Sequence, residues 1–309
     1  MSQVNVQAVS QGDQEQPSQV EKLESYSRVN PILEHETNTI KSPYSPAEWD
    51  LVECLDTGFV FLKNPPSYES LQEEYAWEKS VESYRQKSLE LEPVRAKLSS
   101  FFKKIRSSMH RGQKVVHEAS QLLHDIQRYR ADKSAPMTVI DVGCGEGLHG
   151  SMIAYQALYQ HGINVKPIGI EVSNFLAAAS NKKFKPYGGH VIHKPALEGL
   201  VELEDNSVDV IVLMSFLEHE IQPAELLRVC RQKLTDEGGI VLKVPNYNSW
   251  NRVIRKEKWC GFRFPDHVNY FSPRTLKVLL HKCGLRAARM NFLDTVPTND
   301  NMWAIIKKK

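Results

Sequence analysis

The chain has 309 residues, with 39 Lys and Arg against 37 Asp and Glu, a formal net charge of +2 and a 41% hydrophobic content. That balance supplies no global field to draw the protein to nucleic acid or a membrane surface, and it fits one large domain or a medium domain with an appendage. The five cysteines, Cys54, Cys144, Cys230, Cys260 and Cys283, are odd in number, scattered and without a C-x-x-C pair, which argues against a disulfide framework and a complete zinc site. No run approaches the about 18 apolar residues of a membrane span, and the first residues lack a basic region followed by an apolar one. The expected location is the cytoplasm.

Residues 1–45 are rich in Gln, Ser, Glu and Asn with no sustained period, so a disordered tail is expected there. From Trp49, the runs L-V-E-C-L and F-V-F-L flank D-T-G and predict two short strands around a glycine turn. Asn64-Pro65-Pro66 breaks that pattern, and Ser67 is placed to cap a helix through Tyr75. Residues 78–130 read as helical. Val94, Leu98, Phe101, Ile105 and Met109 form one apolar stripe; Val116, Ala119, Leu122, Leu123 and Ile126 form a second beyond Gly112. Lys97, Lys103, Lys104, Arg106, Arg111 and Lys114 make this region basic, as a solvated helix face or as a patch for an anionic ligand.

After Pro136, apolar strands alternate with helices. Strands are expected near 137–142, 165–171, 189–193, 207–214 and 238–245, and helices near 148–161, 173–182, 221–235 and 272–283. Such alternation implies parallel strands with right-handed crossovers. Leu285 to Leu293 and Met302 to Ile306 follow with no helix between them, so the sheet should end in an antiparallel hairpin. The fold class is therefore α/β, a Rossmann-like doubly wound sheet of seven strands, divided as tail 1–45, N-terminal hairpin and helical lid 46–131, and ligand-binding domain 132–309.

Val139 to Gly150, V-I-D-V-G-C-G-E-G-L-H-G, is a buried strand running into a glycine turn whose backbone a ligand can touch. Gly145, Gly147 and Gly150 also satisfy G-x-G-x-x-G, the dinucleotide fingerprint. Asp141 separates the two possibilities, because a carboxylate at the strand end is poorly placed beside a pyrophosphate and well placed beside an ammonium. Glu171 ends the second strand, where nucleoside-binding α/β folds put an acid against the ribose hydroxyls.

With these motifs the chain resembles a class I S-adenosylmethionine-dependent methyltransferase, in the branch of the ubiquinone-biosynthesis O-methyltransferases. The likeness covers roughly 137–309 and extends to N-S-V-D-V-I at 206–211, S-F-L-E-H at 215–219, G-G-I-V-L-K-V-P-N at 238–246 and F-P-D-H-V-N-Y-F-S-P at 264–273. It implies S-adenosyl-L-methionine as cofactor. Asp141, Gly143, Gly145 and Gly147 would line its methionine end, Glu171 would hold the ribose, and Ser215 and Phe216 would lie beside the transferred methyl. The adenine contact after the third strand falls on His193 to Leu197, which lacks the frequent acid. Cys54 and Thr57 resemble the remnant of a zinc ribbon whose other ligands are missing, kept as a packing element or lid.

A hydroxyl acceptor must lose its proton, and His219 and His267 both follow strand ends on the ligand side, so they are the candidate bases. Glu218 and His219 resemble a divalent-cation pair of some relatives, but two ligands are too few to claim a metal. The loop 246–266 is long and aromatic; Tyr247, Trp250, Trp259 and Tyr270 are expected to wall the acceptor. The expected activity is methyl transfer to a small molecule, with oxygen favoured. The alternatives are an NAD-type oxidoreductase and a cofactor-binding partner subunit without activity. Oligomeric state is left open.

Overall fold

The computed structural model of the protein describes residues 27–66 and 114–309. In chain order its elements are β1 (Thr39–Lys41), β2 (Leu51–Cys54), β3 (Val60–Leu62), α1 (Lys114–Gln127), β4 (Met137–Val142), α2 (Leu148–His161), β5 (Val165–Ile170), α3 (Asn174–Phe184) and β6 (His190–Ile192). They continue with α4 (Ala196–Val201), β7 (Val208–Met214), α5 (Pro223–Lys233), β8 (Leu234–Pro245), α6 (Trp250–Arg255), β9 (Asn269–Tyr270), α7 (Pro273–Lys282), β10 (Leu285–Arg289) and β11 (Asn301–Lys308).

The larger sheet has seven strands in the order β10-β11-β8-β7-β4-β5-β6. The five strands from β6 to β8 are parallel, while β11 runs antiparallel to both β8 and β10. This is the doubly wound sheet with a terminal hairpin that the alternation of motifs implies. Burial on both faces explains the continuous apolar runs. Ile140, Ile168, Ile211 and Leu242 point to one core with Leu226 and Leu279 from α5 and α7. Val139, Val210, Val212 and Val241 point to the other, where Val116, Leu123, Ile153 and Ala157 from α1 and α2 cover them.

That second core corrects the expected boundary at residue 131. The stripe Val116, Ala119, Leu122, Leu123 and Ile126 does not belong to a lid; it buries α1 directly on the sheet. The first expected stripe, the helix after Ser67, and the basic residues from Lys97 to Arg111 lie outside the described residues.

The tail expected over 1–45 is also corrected where it is described. Asn30 Oδ1 accepts the backbone N–H groups of Ile32 and Leu33, turning the chain so that Ile32 enters the main core. β1 then pairs with β2, β2 with β3, and β3 with β9, giving a second antiparallel sheet of four strands. The hairpin of β2 and β3 is as the sequence predicts. Its junction with β9, more than 200 residues later, binds the N-terminal region to the loops of the larger sheet. Arg28 fixes this junction. Its guanidinium donates to Asn269 Oδ1 at 2.9 Å and to the carbonyls of Ile221 and Val268, the last of which also accepts the Leu62 N–H of β3. Among the described residues no helix is long and apolar enough to cross a membrane.

Candidate active site

Strand order reverses beside β4: the chain steps outward through β5 and β6, then returns to β7 on the other side. Such a switch point opens a crevice at the carboxyl ends of the strands. The loops after β4, β5, β7 and β8 all end there, and they carry the residues singled out above.

After β4 the backbone makes successive left-handed excursions at Gly143, Gly145 and Gly147, with φ of 64°, 54° and 72°. At Gly143 a Cβ would lie 2.7 Å from the Phe216 ring, so only glycine lets that aromatic close over the loop. At Gly145 nothing lies within 4 Å of where a Cβ would be, so the main chain faces open space that a ligand can fill. Asp141 is buried beneath the turn, and its Oδ2 accepts the N–H of Gly150 in the first turn of α2 at 3.0 Å. Burial, with Glu171 nearby as a smaller contribution, pushes its carboxyl up to about 7.

Glu171 joins two loops. Its Oε2 accepts Gly145 N–H at 2.8 Å and its Oε1 accepts Ser173 N–H at 2.9 Å. Each carboxylate oxygen keeps lone-pair capacity beyond those bonds. His193, in the segment where the resemblance places the adenine contact, bonds through Nε2 to the Val172 carbonyl at 2.9 Å.

Beyond β7 the chain turns sharply at Ser215, a non-glycine residue with φ of 54°. Strain of that kind costs on the order of 1–3 kcal/mol and persists only where the surroundings hold it. Here the Ser215 N–H donates to the Lys243 carbonyl at 2.9 Å, and the Lys243 ammonium donates to Ser215 Oγ at 3.1 Å. The turn brings Phe216 onto Gly143 and starts the segment Leu217–His219.

The next feature joins two distant stretches. His219 Nδ1 bonds to Asp266 at 2.9 Å, the Arg263 guanidinium lies 3.1 Å from the same carboxylate, and the rings of His219 and His267 meet edge to face at 4.7 Å. Burial works against charge on His219, but the Asp266 carboxylate outweighs it and raises the imidazole above its usual value. His267 is different: burial, reinforced by His219, holds it well below the usual range, and its Nδ1 is tied to the Gly261 carbonyl at 2.9 Å. Glu218, His219 and His267 each offer one ligand atom, all within 4.8 Å of one another, the one such group among the described residues. Adjacency in sequence supplies two of these; His267, 48 positions after His219, comes only from the fold.

The aromatic loop does not form the expected wall. Trp259 and Tyr270 are 2% exposed and pack with Leu51, Val60 and Phe262 into a separate core against the smaller sheet. Trp259 Nε1 also donates to Asp300 at 2.7 Å. Tyr247 is half-buried on the same core with the Arg252 guanidinium 4.1 Å from its ring centre. Trp250 points outward from α6, 59% exposed. Two of the four residues are thus spent on packing. Asp266 and Lys243 were missed by sequence reasoning. Asp266 had a signal in its adjacency to His267, whereas Lys243 reads from sequence only as a polar residue inside a strand.

Residues 115–289 match the family described as "Methyltransferase domain". The chain is 30% identical over 182 residues to a ubiquinone biosynthesis O-methyltransferase of Neisseria meningitidis serogroup C, covering 57% of this chain and 74% of that one. It is 27% identical over 188 residues to the protein of the same name from Ralstonia nicotianae, covering 57% and 76%. A solved structure of a SAM-dependent methyltransferase from Archaeoglobus fulgidus aligns with a TM-score of 0.41 and 23% identity over 62% of this chain and 94% of that one. The family match alone takes in more than half of the 309 residues, and the chain belongs to the class I methyltransferases that use S-adenosylmethionine.

Proposed function

We propose that the protein transfers the methyl group of S-adenosylmethionine to a hydroxyl oxygen of a small-molecule acceptor. The observation that carries this reading is the His219–Asp266 pair at the carboxyl end of β7, a hydrogen-bonded base beside the loop that holds Phe216 against the glycine turn. Ordinary amines present a lone pair once neutral, but a hydroxyl needs a base. The two O-methyltransferases above point the same way. In this reading Asp141 faces the cofactor ammonium, Glu171 takes the ribose hydroxyls, and Ser215 and Phe216 border the methyl. The displacement leaves a neutral thioether, so the protein's main task is to align oxygen, carbon and sulfur in a site closed to water. His219 takes the hydroxyl proton, and Asp266 fixes the tautomer. Incubation of the protein with methyl-labelled cofactor and fractionated cell extract should yield a labelled product from which the methyl is released by ether cleavage. Label found only on nitrogen or carbon would reject the oxygen acceptor.

Asp141 adds a pH dependence. Its carboxyl stands at about 7 in the free protein, and an adjacent ammonium favours the ionised form. Cofactor binding should therefore release a proton below about pH 7, and affinity should fall about tenfold for each further pH unit down to the bound-state value. Above pH 7 it should level off. Titration calorimetry in buffers of different ionisation enthalpy checks both; a flat affinity from pH 5.5 to 8 would remove Asp141 from the ammonium site.

A second reading rests on Glu218, whose Oε2 is buried without a hydrogen-bond partner. An orphaned carboxylate oxygen next to two imidazoles, each with Nδ1 bound to oxygen, is a donor set suited to a divalent cation with open positions. Glu218, His219 and His267 would hold it, and such a cation would supply charge to favour an ionised acceptor oxygen. Turnover unchanged after exhaustive chelation rejects it; loss restored by magnesium, manganese or zinc supports it.

A further inference from the structure

Lys243 is the one charged side chain in the row Met214–Lys243–Trp303 that crosses β7, β8 and β11 near their ligand ends. It lies on the same face of β8 as Val241, toward α1 and α2, and Met214 and Trp303 pack on that core. The row is roofed by helix starts: His149 of α2 lies close enough to feel the lysine charge, and Lys114 of α1 sits 4.8 Å from the centre of the Trp303 ring. Among the described residues Lys243 Nζ makes no ion pair, and its one hydrogen bond goes to Ser215 Oγ. An ammonium has three donors, so two remain for a ligand or water. Burial in this row disfavours its charge, with Glu218 only partly offsetting that. A half-buried ammonium held against a strained serine at the methyl end is a site for an anionic atom.

We propose that Lys243 and the Ser215 hydroxyl form the subsite that receives the acceptor oxygen as an anion, which makes the acceptor a phenol, enol or similarly acidic hydroxyl. The inference rests on the oxygen-acceptor reading above and narrows it. A nearby ammonium lowers the pKa of an acidic hydroxyl by about one to three units, which brings a phenol of pKa about 10 to where a base can ionise it near neutrality. Atoms and charge balance: the acceptor O–H proton passes to His219, the oxygen lone pair forms the new O–CH3 bond, and the S–CH3 bond electrons return to sulfur as the neutral thioether. The unstabilised alkoxide of a simple alcohol lies beyond that range. Lys243 is a binding residue for the acceptor and does not touch the ribose or methionine end in this assignment.

The test uses 4-nitrophenol, whose phenolate absorbs visibly, added to the full-length protein saturated with S-adenosylhomocysteine in the presence of chelator. In the wild-type protein the ionisation midpoint of the bound probe should fall by about one to two pH units. Lys243→Met should abolish that shift and weaken binding about tenfold or more, while the Kd for S-adenosylhomocysteine stays within twofold. Lys243→Arg should keep most of the shift. Three results overturn the proposal: a Met variant that still ionises the probe, an affinity for S-adenosylhomocysteine that falls in step with that for the probe, or a wild-type protein that does not bind 4-nitrophenol. Because no turnover is needed, a protein that ionises the probe yet methylates no hydroxyl would sink the oxygen-acceptor reading and leave the anion subsite standing.

Discussion

Replacing Glu171 with alanine is expected to raise the dissociation constant of S-adenosylmethionine by roughly 30- to 300-fold, that is by about 2–3.5 kcal/mol. Two effects add. In the proposed site the ribose loses a carboxylate that accepts both hydroxyls, and a hydrogen bond to a charged group contributes about 1.5–3 kcal/mol net of desolvation. The protein also loses the tie between its loops, since Gly145 N–H and Ser173 N–H both end on this carboxylate. Gly145 then has a left-handed backbone with no acceptor to hold it, so part of the cofactor's binding energy must go into ordering the turn. Glu171→Gln separates these contributions. The amide retains one acceptor oxygen and presents an N–H2 to the other amide donor, so it should fall between wild type and alanine, at about tenfold. Calorimetric titration measures all three proteins, and an unaltered constant for the alanine variant would place the ribose elsewhere.

The difference between what could be read in the sequence and what could not follows from the range of the interactions. β4, β5, β7 and β8 each carry a short apolar stretch buried on both faces, such as Val139–Ile140, Val210–Leu213 and Ile240–Leu242, which is recognisable without its neighbours. The glycine turn and Glu171 are legible because a strand end, a tight turn and an acid lie within one βαβ unit. β9 is two residues long and exists only because β3 reaches it, so no local pattern marks it. The order of residues 27–45 is hidden for the same reason. Their composition is polar, but Ile32 finds a core and Arg28 finds carbonyls some 190 to 240 residues away. Aromatic content cannot distinguish a pocket wall from a small core, and Trp259 and Tyr270 went to the core because the second sheet needed a cover. In sequence His267 stands slightly ahead of His219 as the candidate base; the fold distinguishes them by pairing His219 with Asp266 and burying His267 against the Gly261 carbonyl.

That separation gives the second large effect. His219→Ala should lower turnover by about 10²- to 10⁴-fold, the usual contribution of a positioned proton acceptor, while the affinity for S-adenosylmethionine changes less than threefold. Removing the imidazole also leaves Asp266 with Arg263 as its remaining charged neighbour, 3.1 Å away, so a stability loss of about 1–3 kcal/mol should accompany the kinetic one and is read separately from thermal unfolding. The effect of His267→Ala then decides between the two readings of the site. If His219 is the base, His267 only packs against its ring, and its replacement should cost far less in turnover than that of His219. If Glu218, His219 and His267 hold a cation, the two substitutions remove equivalent ligands and should cost about the same. The chelator supplies the cross-check through non-additivity. For a cation site, chelation should depress the wild-type enzyme and add little to either histidine variant, because each has already lost the ion. For a base, chelation should leave wild type and variants at their own levels, so the drop on substitution belongs to the proton transfer. A His219→Ala protein with wild-type turnover excludes both, and moves the deprotonation of the acceptor to the Lys243 side of the crevice.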